Sequence, residues 1–353
     1  MIRTQASRPT LEQVARAAGV SKATASKVLN RRPNISSQTR RRVEQAIDEL
    51  GYVPTTGPRE RDRLQKVNVV FNTLVNLYSM HVLEGIVAAA HAQRVEVLVD
   101  MADPDLGEDG PLSAPWIRRL AAHGRTGVIV VTSELTAGQR DLMGALGLSV
   151  VLIDPLNPLD DEVVSVGATN FTGGLQATQH LVDLGHRRIA FAGGPPGSIA
   201  SRERLQGYLS AMGSAGAAID PELILEREFS VPAGLEMASR FLSEPQPPTA
   251  IFAGCDASAL GVLEAARQYG LRVPQDLSVV GFDDTSMAVS TAPPLTTVRQ
   301  PISDMGRVAL RTLLQQSRGE RADSHHVQLS TQLVIRGSTA APATAVPGPH
   351  PRH

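Results

Sequence analysis

Lys22 and Lys27 bracket a short run of small side chains, with Ser21 before them and Ala23, Thr24 and Ser26 between. Lysine ammonium groups can donate to guanine O6 and N7, and a methyl-sized side chain such as Ala23 offers an apolar contact. Short hydroxyls and amides suit phosphate oxygens, which set register without reading sequence. Thr10, Asn30 and Asn34 are further groups of that kind nearby. Polar side chains elsewhere follow short β-branched runs: Asn72-Thr73, Asp100, Thr132-Ser133, Asp154, Cys255-Asp256 and Asp283-Asp284, with Gly193-Gly194 among them. Such a lining, facing a cleft, suits a polyhydroxylated small molecule with an aromatic to stack on.

Catalytic patterns fare less well. Asp283 and Asp284 are adjacent, and neighbours at a strand end point to different sides, so they cannot flank one bond. The Gly193-Gly194-Pro195-Pro196-Gly197 loop lacks the spacing and the lysine of a phosphate loop, and its prolines remove two amide donors. His180 and His186 are six apart and His325-His326 adjacent, neither a ligand spacing for a metal on one helix face. Cys255 has no visible catalytic partner. The expectation is a protein without enzymatic activity, metal or cofactor, whose small molecule is an effector.

Those residues need two kinds of scaffold. Thr10 and Gln13 form a capping box, followed by Leu11, Val14 and Ala15 on one face, and Gly19 suits a tight exit. Ser21 can cap a second helix that carries Ala25, Val28 and Leu29 inward, and Ser36 a third with Val43, Ile47 and Leu50. Two short helices across a three-residue turn predict a helix-turn-helix, whose second helix presents Lys22, Ala23 and Lys27 to the major groove. From Val67 onward, β-branched runs alternate with amphipathic segments such as Leu175 to Leu184 and Ala257 to Tyr269. That rhythm predicts parallel sheets in two α/β lobes, with the site at the carboxyl ends of the strands.

The charge follows the same division. Among 353 residues with a net charge of −1, residues 1–66 hold 14 Lys and Arg against 6 Asp and Glu, leaving 20 against 29 for the remainder. A basic head on an acidic body fits a polyanion-binding module joined to a sensor. One cysteine excludes an intramolecular disulfide. No apolar run reaches the roughly 18 residues of a membrane span. A cytoplasmic, nucleoid-associated protein with no membrane partner is expected.

The run Thr10-Leu11-Glu12-Gln13-Val14-Ala15, then Ala18-Gly19-Val20-Ser21, Thr24, Ser26, Val28, Asn30, Thr39-Arg40 and Leu50-Gly51-Tyr52-Val53-Pro54 resembles the DNA-binding head of lactose-repressor (LacI/GalR) family regulators. Leu184-Gly185-His186-Arg187-Arg188-Ile189, Arg204-Leu205-Gln206-Gly207-Tyr208, Val273 to Asp284 and Pro294 to Val298 are similar to that family's periplasmic-binding-protein-like effector domain. The resemblance implies a homodimer on a pseudo-palindromic double-stranded operator, with effector contacts at Tyr78, Arg202, Phe229 and Asp283. Cys255 stands where many members have asparagine, a poorer hydrogen-bonding group. Pro58 and Arg61 replace the alanine and leucine of the family's hinge helix, so Arg61 is expected to contact the DNA backbone or minor groove electrostatically.

The expected organisation is a helix-turn-helix domain at 1–54, a linker at 55–66, a two-lobed domain at 67–338 and a disordered tail at 339–353. Lobe 1 is expected over 67–167 and 295–323, and lobe 2 over 168–294 and 324–338. The tail has no leucine heptad, which favours a dimer over a tetramer. The expected function is sequence-specific repression of carbohydrate uptake or catabolism genes, released by a sugar. A sugar-binding module without DNA binding and a corepressor-dependent regulator responding to a non-sugar ligand are the alternatives.

Overall fold

The computed structural model describes residues 10–29, 35–50, 64–102, 111–157, 163–320 and 324–343. The chain divides into two units, Met1–Leu64 and Gln65–His353. In the first, α1 (Leu11–Ala17), α2 (Lys22–Leu29) and α3 (Ser37–Leu50) pack around Val14, Ala15, Ala18, Ala25, Val28, Val43 and Ala46. Each helix start follows its cap. Thr10 accepts from the Gln13 amide at 3.3 Å while Gln13 Oε1 accepts from the Thr10 amide at 2.7 Å. Ser21 and Ser36 accept from the amides of Thr24 and Thr39. Gly19 turns the chain at φ 64, and Arg42 donates to the Ala18 carbonyl at 2.6 Å, tying α3 to the turn.

The second unit is a pair of six-stranded sheets. Its first part runs β1 (Lys66–Phe71), α4 (Leu77–Gln93), β2 (Glu96–Met101), α5 (Ala114–Ala122), β3 (Gly127–Val131), α6 (Ala137–Ala145), β4 (Ser149–Ile153) and β5 (Ser165–Ala168). It continues through α7 (Asn170–Asp183), β6 (Ile189–Gly193), α8 (Ile199–Ser214), β7 (Ile224–Glu226), α9 (Val231–Leu242), β8 (Ala250–Ala253), α10 (Asp256–Gln268), β9 (Ser278–Asp283) and α11 (Ser286–Ser290). Last come β10 (Thr296–Arg299), α12 (Ile302–Ser317), β11 (His326–Leu329) and β12 (Gln332–Val334). The sheet orders are β11-β5-β4-β3-β1-β2 and β12-β10-β9-β8-β6-β7, parallel throughout except where β12 runs against β10. β3, β6, β8 and β9 are buried along their whole length, as strands covered by helices on both faces must be.

Two expected lobe boundaries are corrected. Leu295 to Arg299 was expected in lobe 1, but β10 pairs with β9 and belongs to the second sheet. Residues 324–329 were expected in lobe 2, but β11 pairs with β5 in the first. The chain therefore crosses between lobes near Thr169, after Arg299 and before Thr331, and α12 returns to pack in the core of the first lobe beside α4. Periodicity shows that a segment is a strand and cannot show which strand it pairs with. Thr169 and Thr331 lace two of the crossings together, their hydroxyls 3.0 Å apart.

The tail expectation is corrected for its first residues. Ala340 exchanges hydrogen bonds with the Ser278 hydroxyl, His186 Nε2 lies 2.9 Å from the Ala340 carbonyl, and Thr339 lies 2.9 Å from His180 Nε2. The polar side chains of the second lobe thus hold residues 339–340 in place, and residues 344–353 lie outside the described residues.

Candidate effector cleft and nucleic-acid interface

In the head, burial of Ala25 and Val28 turns the opposite face of α2 outward, exposing Lys22, Ala23 and Lys27. Lys22 approaches Glu12 at 3.9 Å with both side chains in water, a pairing too weak to hold it from another partner. Ser21 is spent on Thr24, both as amide cap and through a 2.8 Å contact between hydroxyls, while Thr24 and Ser26 are half-buried. Thr10 is an exposed cap. Asn30, Asn34, Pro58 and Arg61 lie outside the described residues.

The body brings its polar strand ends together. Tyr78, in the first turn of α4, donates to Asp154 Oδ2 at 2.5 Å just past β4. Opposite them, the Asp283 carboxylate at the end of β9 accepts from Gln300 Nε2 at 2.6 Å. Arg204 of α8 is 3% exposed; its Nε donates to Asn170 Oδ1 at 2.9 Å and its Nη1 to the Gly254 carbonyl at 2.6 Å. The guanidinium lies 3.8 Å from the centre of the Phe282 ring and 5.6 Å from that of Phe229. Phe229 in turn rests on Gly194, where a Cβ would overlap the ring. The Gly193-Gly194 loop is thus an aromatic seat, its Gly194 amide donating to the Ser201 hydroxyl at 2.9 Å.

Electrostatics joins the two halves. Burial pushes Asp283 up to about 8, with Asp256 and Asp154 adding to the rise while Arg204 and Gln300 oppose it. Burial also raises Asp154 against the pull of Tyr78 and Arg204. The Tyr78 hydroxyl is raised well above its ordinary value by burial and then by Asp154, so it remains a donor. Glu203, half-buried beside Asn170, is raised by burial and by Asp154. Residues from both sheets therefore share one low-dielectric site.

Backbone geometry marks the same place. Thr132, Asp154, Asp283 and Asp284 have φ of 46, 43, 116 and 56, all at carboxyl ends of strands. Non-glycine residues held at positive φ are strained and cluster where function demands a particular side-chain direction. The adjacent pair points apart: Asp284 is gripped by Arg299 and Arg336, both at 2.6 Å, while Asp283 faces Gln300. Asp256 is also structural, accepting from Thr297 at 2.6 Å and from the Thr285 amide at 2.7 Å. Asp100 accepts from Asn68 at 2.6 Å, away from the cleft residues in the ladder.

Two expected contacts change. The arginine in the cluster is Arg204, while Arg202 is exposed, because positions two apart on a helix lie roughly 200° round its axis. The burial stripe of α8, with Ser201, Arg204, Gly207, Tyr208 and Ala211 inward, carried that signal. Cys255 caps α10, its Sγ accepting from the Ser258 amide at 3.3 Å. Burial pushes that thiol up to about 12, and it is 5% exposed, so it is an inert cap rather than a ligand-facing group. Asn170 and Gln300, both buried, and Glu203 had no distinguishing mark in the sequence.

The family model for bacterial regulatory proteins of the lacI family matches residues 10–55, and that for a periplasmic binding protein-like domain matches 178–339. The HTH-type transcriptional repressor CytR of Escherichia coli K12 is 32% identical over 339 residues, 94% of this chain and 96% of that protein. The HTH-type transcriptional regulator CelR of Thermobifida fusca is 35% identical over 350 residues, covering 94% and 98%. Among solved structures, the lac repressor dimer bound to operator and the anti-inducer ONPF superposes with a TM-score of 0.78 at 29% identity, over 95% of this chain and all of that one. A CelR–cellobiose complex gives 0.71 at 32% identity, over 94% and 100%.

Proposed function

Because the chain belongs to the lacI family of bacterial regulatory proteins, we propose that it represses genes of carbohydrate uptake or catabolism and is released from its operator by a small sugar. It acts in the cytoplasm as a homodimer, each protomer placing α2 in the major groove of one half of a pseudo-palindromic site. The cleft has no catalytic part in this reading; its occupant is an effector, and no cofactor is involved.

The supporting observation is the single site shared by the two lobes: Tyr78 and Asp154 from one, Arg204 and Asp283 from the other. A ligand bonded to both sets favours one lobe arrangement over another, and can shift the equilibrium only by its differential affinity. A hundredfold loss of operator affinity needs about 2.8 kcal/mol of that difference, within reach of two or three charge-assisted hydrogen bonds. Phe229 offers an apolar ring face, and the carboxylates accept from hydroxyls.

The test is footprinting on the DNA flanking the gene, followed by titration of the complex with sugars. Release by a sugar at micromolar to millimolar concentration is expected. Tightening of the footprint by a sugar would make the protein corepressor-dependent, and response only to a purine would overturn the sugar assignment.

A further inference from the structure

Three carboxyl groups around the cleft have only neutral neighbours. Asp154 takes its hydrogen bond from Tyr78, Asp283 from Gln300, and Glu203 lies beside Asn170. The cation within reach does not compensate, because Arg204 gives Nε to Asn170 and Nη1 to the Gly254 carbonyl and lays its face on Phe282. Carboxylates with a structural task look different: Asp284 has two arginines, and Asp256 three hydrogen bonds from Thr285 and Thr297. Gln300, 4% exposed and bonded to Asp283, also leaves its Oε1 buried with no donor. The cleft is thus rich in acceptors and negative charge and short of donors. Buried charge of this kind is costly until something pairs with it.

A metal ion does not fit, since among the described residues no group of three or more His, Cys, Asp or Glu side chains could hold one. An ammonium group fits: it carries one positive charge and three donors that can be shared among separated acceptors. We propose that the effector is a polyhydroxylated ring bearing a protonated amine, an amino sugar or a short oligomer of one, and that phosphorylated and acidic sugars are excluded. The inference rests on the reading of this cleft as a sugar-effector site. Glu203 sets the preference, because it adds a third carboxyl close enough to Asp154 for each to feel the other's charge.

The experiment is isothermal titration of the full-length protein with two matched sets: glucose, glucosamine and glucose 6-phosphate, and cellobiose, the chitosan disaccharide and cellobionic acid. In at least one set the amine binds tenfold or more tighter than the neutral sugar, and the anion tenfold or more weaker. Glu203→Gln cuts the amine-to-neutral ratio about tenfold, and Glu203→Asp restores part of it, with thermal melting confirming that both variants fold. Equal or tighter binding of the neutral sugar, binding of the anion as tight as the neutral form, or an unchanged ratio in Glu203→Gln overturns the proposal and leaves the sugar reading standing. If no member of either set binds, the sugar reading fails and the proposal with it.

Discussion

Asp283 sits at φ 116, buried among acidic neighbours, with one hydrogen bond from Gln300. Its carboxyl is held up to about 8, against an unfolded value near the ordinary 3.8. The native state therefore keeps a proton that the unfolded state has lost, and the unpaired carboxyl makes stability fall as pH rises from about 4 to about 8. Asp283→Asn removes the ionisable group while leaving an acceptor for Gln300. Its melting temperature should exceed that of the parent at pH 7.5, by about 2 °C or more, and the gap should shrink toward pH 4. Effector response should be lost. A gap that widens on acidification would show that the carboxyl is not the group strained by burial. Stability is here given up at the site that binds, the usual cost of a preorganised pocket.

At the scale of elements, helix pairs cross through reciprocal glycines. A Cβ on Gly174 of α7 would overlap the Arg204 carbonyl, and one on Gly207 of α8 the Phe171 carbonyl. Gly234 and Gly261 serve α9 and α10 in the same way, and Gly85 and Gly306 serve α4 and α12. The α7–α8 contact matters most for function, since it brings Arg204 onto Asn170. In a helix, alanine normally gains on glycine by about 0.5–1 kcal/mol. At Gly207 overpacking should outweigh this, leaving Gly207→Ala about 1–3 kcal/mol less stable. Gly144 of α6 faces open space, so Gly144→Ala should gain about 0.5 kcal/mol. Chemical denaturation of both variants checks the opposite signs, and equal effects would remove close packing as the reason for glycine at 207.

The whole molecule joins a basic head to an acidic body, a difference of sign that the net charge of −1 conceals. Acidic surface disfavours non-specific DNA contact, leaving the head to carry electrostatic affinity. Operator affinity should fall steeply with salt, and Lys22→Ala with Lys27→Ala should flatten the logarithmic slope by about 3 to 4 units for a dimer losing four charges. An unchanged slope would place these lysines off the DNA. The sequence by itself determined the helix-turn-helix, through caps at Thr10, Ser21 and Ser36 whose geometry is local, and the parallel α/β class, through alternating periodicities. It also placed Tyr78, Phe229 and Asp283 among the candidate contacts. Only the tertiary structure decided that β10 belongs to the second sheet and β11 to the first, because strand pairing is a long-range choice. The same holds for Arg204 displacing Arg202, for Cys255 serving as a cap, and for Asn170, Glu203 and Gln300 joining the cleft. Those roles depend on which way each side chain faces once the helices pack and on what the opposite lobe sets against it.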